Sequence, residues 1–194
     1  LVKSSAASDV YKRQMYERVK KIAEAASMMA NVDYEMELIS GIYEILPNRF
    51  GAGIIQNNFE LLGEIKYTDS EIEYANTILK ETGKELKGLD GTIKPLRPTV
   101  PATGGSTDVG DVSQVVPVVR LRTTTAAKDG PWHSWAVVAC TGMSIGHKGM
   151  IYASKALAMT MLDLYKNPKL IDGVRKEFLV RKGDRVYVPQ IPPG

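Results

Sequence analysis

Val32-Asp-Tyr-Glu-Met-Glu-Leu-Ile-Ser40 is the stretch on which the fold class turns. Val32, Tyr34, Met36 and Leu38 alternate with Asp33, Glu35 and Glu37, and a period of two predicts a strand with one packed face and one wet face. Just upstream, between Tyr11 and Ala30, Met15, Val19, Ile22, Ala23 and Ala26 recur at three- and four-residue spacing, with Lys20, Lys21 and Glu24 turned outward. That spacing predicts an amphipathic helix. A helix leading into a half-buried strand is expected at the end of a small open-faced α+β domain. Ile42 to Pro47 changes character and is expected to carry the chain into a second domain.

Downstream the helical period takes over. Pro47 suits a helix start and Gly63 a helix stop, with Ile54, Ile55, Phe59 and Leu62 between them as the apolar stripe. Thr68-Asp-Ser-Glu71 is a capping-box pattern, and it opens a helix expected to bury Ile72, Ala75, Ile78 and Leu79 and to end at Gly83. Lys84 to Thr103 has no period and is read as a long surface connection. Val115 to Arg122 is β-rich, and Pro117 within it predicts an edge strand or a bulge. Gly146 to Asn167 predicts a long helix carrying Met150, Ala153, Leu157 and Met161 along one face. Asn167-Pro168 then caps a last helix, Lys169 to Lys182.

The bulk composition narrows the function classes. The chain has 194 residues, enough for one ordinary core and part of a second. Its 25 basic and 22 acidic residues give a net charge of +3, and no basic block or aromatic-interleaved basic stripe is present. Nucleic acid is therefore not the expected partner. No apolar run reaches the roughly 18 residues of a membrane span, and no signal-like pattern opens the chain. The single cysteine excludes an internal disulfide and suits a reducing compartment, so a cytoplasmic location is expected. Cys140, in the apolar run from Trp135, is read as a small core residue rather than a nucleophile. The first methionine is Met15, and residues 1 to 10 read as a non-native leader; the native sequence is expected to start inside a longer gene.

Few residues carry chemistry. The histidines are His133, in Gly130-Pro-Trp-His-Ser-Trp135, and His147, at a helix start beside Lys148. His133 suits a metal ligand or an acid/base group, or a hydrogen-bonded loop residue; no HxxxH, HxD or CxxC accompanies it. His147 is read as a polar surface or capping residue. Gly104-Gly-Ser-Thr-Asp-Val-Gly-Asp-Val-Ser113 gathers main-chain N–H groups, hydroxyls and two carboxylates, and reads as a ligand-facing loop or a plain turn-rich one. It is neither an EF-hand nor a phosphate loop, because the required glutamate and Gly-Lys-Ser/Thr are absent. Gly142 to Gly149 is one residue short of a phosphate loop and is read as a helix entry that permits close packing. A nucleotide-binding module is thereby disfavoured.

Taken in order, Gly105-Ser-Thr-Asp-Val-Gly-Asp-Val-Ser113, Pro117, Pro131-Trp-His-Ser-Trp135 and Ser144-Ile-Gly-His-Lys-Gly-Met150 resemble the metallo-amidohydrolase family of aminoacylases, succinyl-diaminopimelate desuccinylases and glutamate carboxypeptidases. Leu38-Ile-Ser-Gly-Ile-Tyr43 with Leu46-Pro-Asn48 is similar to that family's crossing from lid to catalytic domain, and the resemblance runs from about Tyr11 to the end. It implies an α/β fold: residues 45–194 as the C-terminal part of a two-metal aminopeptidase-like catalytic domain, after residues 11–44 as the last helix and strand of an α+β lid and dimerisation domain. It also implies a small-molecule amide substrate, an acyl- or aroyl-amino acid. Two divalent metal ions, zinc or manganese, are implied, as is pairing through the lid as a homodimer or with a related subunit.

By the same resemblance His133 matches the family's last metal-binding histidine. Gly105, Ser106, Thr107, Asp108, Gly110 and Asp111 match a segment on the substrate side of the active-site cleft. The chain departs from the pattern in one large respect. The first histidine with its aspartate, and the paired glutamates with the catalytic base, are expected upstream and are not among these residues. A metal hydrolase needs bound ions to bring a water to a pKa near ~7 and a carboxylate to move its proton. The intact protein is therefore expected to hydrolyse amides and this portion alone to be inactive; a non-catalytic binding or regulatory subunit of the same fold is the alternative.

Overall fold

The structure is a computed structural model and describes residues 2–97 and 107–191, with side chains from residue 10 onward. Its regular elements are helices: α1 (Val2–Ala30), α2 (Arg49–Leu62), α3 (Asp69–Glu81), α4 (Val109–Val115), α5 (Trp135–Thr141), α6 (Ser144–Lys166) and α7 (Pro168–Lys182). No strand occurs among the described residues. This corrects the α/β expectation at both places where it was specific. Residues 32–48 run without regular structure, and Val115 closes α4, with the chain beyond it irregular to residue 125. The alternating pattern at Val32 to Leu38 describes a surface suited to a pleat, but a strand exists only in a ladder with a neighbour. No such neighbour is found within the described residues.

The helix ends follow the sequence closely. α1 extends back to Val2 and stops at Asn31, whose φ of +53° is left-handed. Asn31 N–H donates to the Met28 carbonyl at 3.3 Å and Val32 N–H to that of Ser27 at 3.1 Å, the paired bonds of a Schellman end. Gly83 closes α3 in the same way: at φ +65°, it donates to the Lys80 carbonyl at 3.0 Å and Lys84 donates to that of Leu79 at 2.8 Å. At the other end of α3 the capping box is fully formed between Thr68 and Glu71. α6 and α7 lie within two residues of their expected bounds, and Pro168 occupies the first position of α7.

By internal contact the described chain forms two units: residues 2–48, 107–118 and 174–191 in one, and 49–97 and 119–173 in the other. The second contains the main apolar core, built from Ala75, Ile78 and Leu79 of α3, Ala136 and Cys140 of α5, Ile145 of α6, and Ala127 from the loop before α5. Leu79 and Cys140 have no exposed surface, and full burial of a leucine contributes roughly 1.5–3 kcal/mol. Cys140 is thus the core residue its apolar context suggested. α2 packs on α6 through Asn58, whose amide donates to Thr160 Oγ1 at 3.0 Å and Asp163 Oδ2 at 2.8 Å, and through the Phe59–Tyr152 ring stack at 5.4 Å.

The buried face of α6 is not its most apolar one. Ile145, Gly146, Gly149, Ala156 and Thr160 pack inward, while Met150, Leu157 and Met161 are 56%, 45% and 56% exposed. At Gly146 and Gly149 a Cβ would overlap the main chain of Thr141 and Thr124, and that close backbone approach decides the face here.

Candidate functional site

In the first unit, residues of the glycine-rich segment form α4 and its entry. Gly105 and Ser106 lie outside the described residues; Thr107, Asp108, Gly110 and Asp111 lie within them. Gly110 is buried against the backbone of residue 43, and a Cβ there would overlap the Tyr43 carbonyl oxygen. That close approach brings three polar side chains of α4 onto the irregular segment 43–46. Asp111 Oδ2 accepts from Tyr43 N–H at 3.2 Å. Ser113 Oγ, completely buried, accepts from Leu46 N–H at 2.9 Å and donates to the Gly110 carbonyl at 2.6 Å. Gln114 Nε2 donates to the Glu44 carbonyl at 2.8 Å. Side chains thereby satisfy main-chain groups that no ladder serves.

A phenol completes the arrangement. Tyr187 donates from its hydroxyl to Asp111 Oδ1 at 3.0 Å, and its ring lies 5.4 Å from that of Tyr43. Burial pushes the Tyr187 phenol above its ordinary range, and the Asp111 carboxylate adds to the shift. Both oxygens of Asp111 are thus engaged within the protein. Thr107 and Asp108 differ: Asp108 is exposed, makes no side-chain cap bond to α4, and its carboxylate accepts from the Thr107 hydroxyl at 3.3 Å.

In the second unit, His133 is exposed and sits two residues before α5 with φ +58°, the left-handed region. Few L residues adopt it, although histidine is among those enriched there. The loop is closed by Ser134, which turns its hydroxyl back to the Pro131 carbonyl at 2.6 Å and leaves α5 without a side-chain cap. Trp132 and Trp135, on either side of His133 in the sequence, are 68% and 56% exposed. Trp132 also borders a small crevice with Ile78, Gly130, Pro131 and Val137.

One further cluster in this unit went unread in the sequence. Glu71, 8% exposed, accepts from Thr68 N–H at 2.7 Å, Thr68 Oγ1 at 3.2 Å, Ser144 Oγ at 2.7 Å and Lys148 Nζ at 2.6 Å. Burial alone raises the carboxyl; the bonds from Lys148, Ser144 and Thr68 outweigh it and bring the group down to about 2. Lys148 also donates to the Lys66 carbonyl at 3.0 Å and lies 5.5 Å from the Tyr67 ring centre. Its neighbour His147 is exposed, in the first turn of α6. The capping box signalled half of this cluster; Ser144 and Lys148, 73 and 77 residues away, gave no signal.

A structural zinc site takes four protein ligands and a catalytic one usually three. Among the described residues no group of three His, Cys, Asp or Glu side chains is placed to hold a metal ion. One exposed imidazole does not fit a bound metal by itself. No helix among the described residues is long and apolar enough to cross a membrane.

With this geometry in hand, comparison with known proteins relates the chain to hydrolases of amide bonds. It is 28% identical to a subunit of p-aminobenzoyl-glutamate hydrolase from Escherichia coli (strain K12), over 91% of this chain and 42% of that protein. It is 39% identical to Xaa-Arg dipeptidase of Mus musculus, over 51% of this chain and 21% of that protein. The metallo-amidohydrolase resemblance carried by the motifs is borne out by both. The chain spans less than half the length of either relative. No protein-family profile and no solved structure matches it.

Proposed function

We propose that these residues are the carboxy-terminal portion of a metal-dependent amidohydrolase acting on an acyl- or aroyl-amino acid. The best single substrate is p-aminobenzoyl-glutamate, split to p-aminobenzoate and glutamate. The observation that carries this reading is the similarity over 91% of the chain to a protein named for that hydrolysis. His133 is the one residue of this portion assigned to the metals, two zinc or manganese ions, and their other ligands and the carboxylate base belong to sequence outside it. The segment Gly105 to Asp111 faces the substrate. Because Asp111 is committed to Tyr43 and Tyr187, the polar side chains it offers a ligand from the described residues are Thr107 and Asp108.

Residues 11–44 are assigned to the lid, 45–194 to the catalytic domain and 1–10 to a non-native leader. The lid pairs with an identical or a related protomer, a reading supported by the relative's name, which makes that protein one of several subunits. A cytoplasmic enzyme is proposed. The second reading, a binding or regulatory protein of the same ancestry, predicts a complete gene that lacks the other metal ligands.

Expression of the complete gene tests both. In the hydrolase reading the whole protein releases glutamate from p-aminobenzoyl-glutamate when supplied with zinc or manganese; His133→Ala abolishes the turnover and His147→Ala leaves most of it. The 194-residue chain alone holds no stoichiometric metal and is inactive. A tightly held ion per isolated chain overturns the reading of this portion as an incomplete site, and a complete gene lacking the remaining ligands overturns the hydrolase reading.

A further inference from the structure

Beyond α7 the chain from Tyr187 to Gln190 lies along residues 41–43 and meets them at three points. The Tyr187 ring is 5.4 Å from that of Tyr43, and the Val188 carbonyl accepts from the Tyr43 hydroxyl at 2.8 Å. At Gly41 an added Cβ would come within 2.7 Å of the Gln190 Cβ. Arg13 of α1 donates to the same Tyr43 hydroxyl at 2.7 Å, so that phenol is held by α1 and by the tail together. Tyr187 reaches further, past Tyr43 to α4, where its hydroxyl donates to Asp111 Oδ1 at 3.0 Å. All of these residues belong to the first unit.

A helix of seven residues does not hold itself, so the place of α4 depends on what its side chains grip. Its first turn is bound to its entry through the main chain: Gly110 N–H donates to the Thr107 carbonyl at 3.1 Å and Asp111 N–H to the Asp108 carbonyl at 3.0 Å. Asp111 is therefore the joint, with its carboxylate on Tyr43 and Tyr187 and its N–H on residue 108. We propose that Tyr187 is a positioning residue, which holds Asp111 and thereby sets Thr107 and Asp108 against the substrate. The proposal rests on the reading of that segment as substrate-facing. It goes beyond that reading by giving a phenol 76 residues away a part in binding.

Tyr187→Phe keeps the ring against Tyr43 and removes the bond to Asp111 alone, so it is the variant that tests the tie. In the 194-residue chain, hydrogen exchange across residues 109–112 is expected to quicken roughly threefold to tenfold, the loss of part of one bond to a charged acceptor. Exchange in α3, which lies in the other unit, is expected to stay as it is and serves as the control. Unchanged exchange across 109–112 overturns the proposal.

In the complete protein, turnover of p-aminobenzoyl-glutamate by Tyr187→Phe is expected to show KM raised roughly threefold to tenfold with kcat within about twofold, because a contact made to substrate and transition state alike is lost from binding. In an Asp111→Ala background the same change should move KM no further, since Tyr187 acts through that carboxylate. A fall in kcat at constant KM, or effects of the two substitutions that simply add, overturns the positioning role. If the complete protein cleaves the amide and Tyr187→Phe leaves KM unmoved, the positioning role falls and the hydrolase reading stands. If it cleaves no amide, both fall.

Discussion

Replacing Glu71 by glutamine removes one negative charge from the point where α3 and α6 meet while keeping the side chain's length and shape. The wild-type carboxylate accepts four hydrogen bonds, one from the half-exposed ammonium of Lys148. Lowering a carboxyl from 4.5 to about 2 corresponds to about 3 kcal/mol before solvent is considered. Lys148 is 36% exposed, so water screens part of this, and we expect Glu71→Gln to cost ~1–2 kcal/mol. Glu71→Ala also loses the bond to the Thr68 main chain, takes the Glu71 acceptor from Ser144, and leaves Lys148 with the Lys66 carbonyl, for ~2–3 kcal/mol.

The folded-state pKa is depressed, so the stabilisation is present above about 4.5 and is lost as pH falls through about 2. The gap between wild type and Glu71→Gln should be full near neutrality and shrink steadily below pH 4.5. Urea unfolding followed by tryptophan emission is the assay, because both tryptophans lie in the unit that contains Glu71. A double-mutant cycle with Lys148→Met isolates the pair itself. A loss under ~0.5 kcal/mol for Glu71→Gln, or a gap constant from neutrality to about pH 2.5, would refute the reasoning.

Other perturbations probe the rest of the chain. Gly110→Ala should destabilise the first unit by ~3 kcal/mol, because its Cβ overlaps the Tyr43 carbonyl; limited proteolysis across residues 43–46 measures it. Asp111→Asn should bring the Tyr187 phenol part of the way back toward its ordinary range, with burial retaining the remainder, as read by ultraviolet titration at alkaline pH. His133→Gly should stabilise the isolated chain by ~1 kcal/mol, since glycine accepts φ +58° without the side-chain penalty; unchanged or lower thermal stability in the variant would contradict a strained loop.

How much of this was legible depends on the range of the interaction. The ends of α3 are set by neighbours, Thr68 with Glu71 and Gly83 with Lys80, and the sequence displays them directly. The same is true of Pro168 at the start of α7 and of Asn31, although α1 begins nine residues before its expected start. The strands failed because alternation describes one surface and cannot supply the neighbouring strand. α4 and α5 are seven residues each, too short for periodicity to separate from a glycine loop or an apolar run. At the sites, His133 stood out by composition, whereas the ties from Asp111 to Tyr43 and Tyr187 span 68 and 76 residues and leave no local trace. For α6 the large apolar residues pointed to one face and the small ones were buried, since close approach of another backbone at Gly146 and Gly149 is a property of the pair.

That choice of face has a bearing on oxidation. No methionine is among the buried residues, and Met150 and Met161 stand outward on α6. Conversion of a methionine to its sulfoxide turns an apolar side chain polar, which damages a core but is tolerated where the sulfur already meets water. The one thiol, Cys140, has no exposed surface and is sheltered from the same reagents. Mild peroxide should therefore modify the outer thioethers first and leave the packing of α3, α5 and α6 in place.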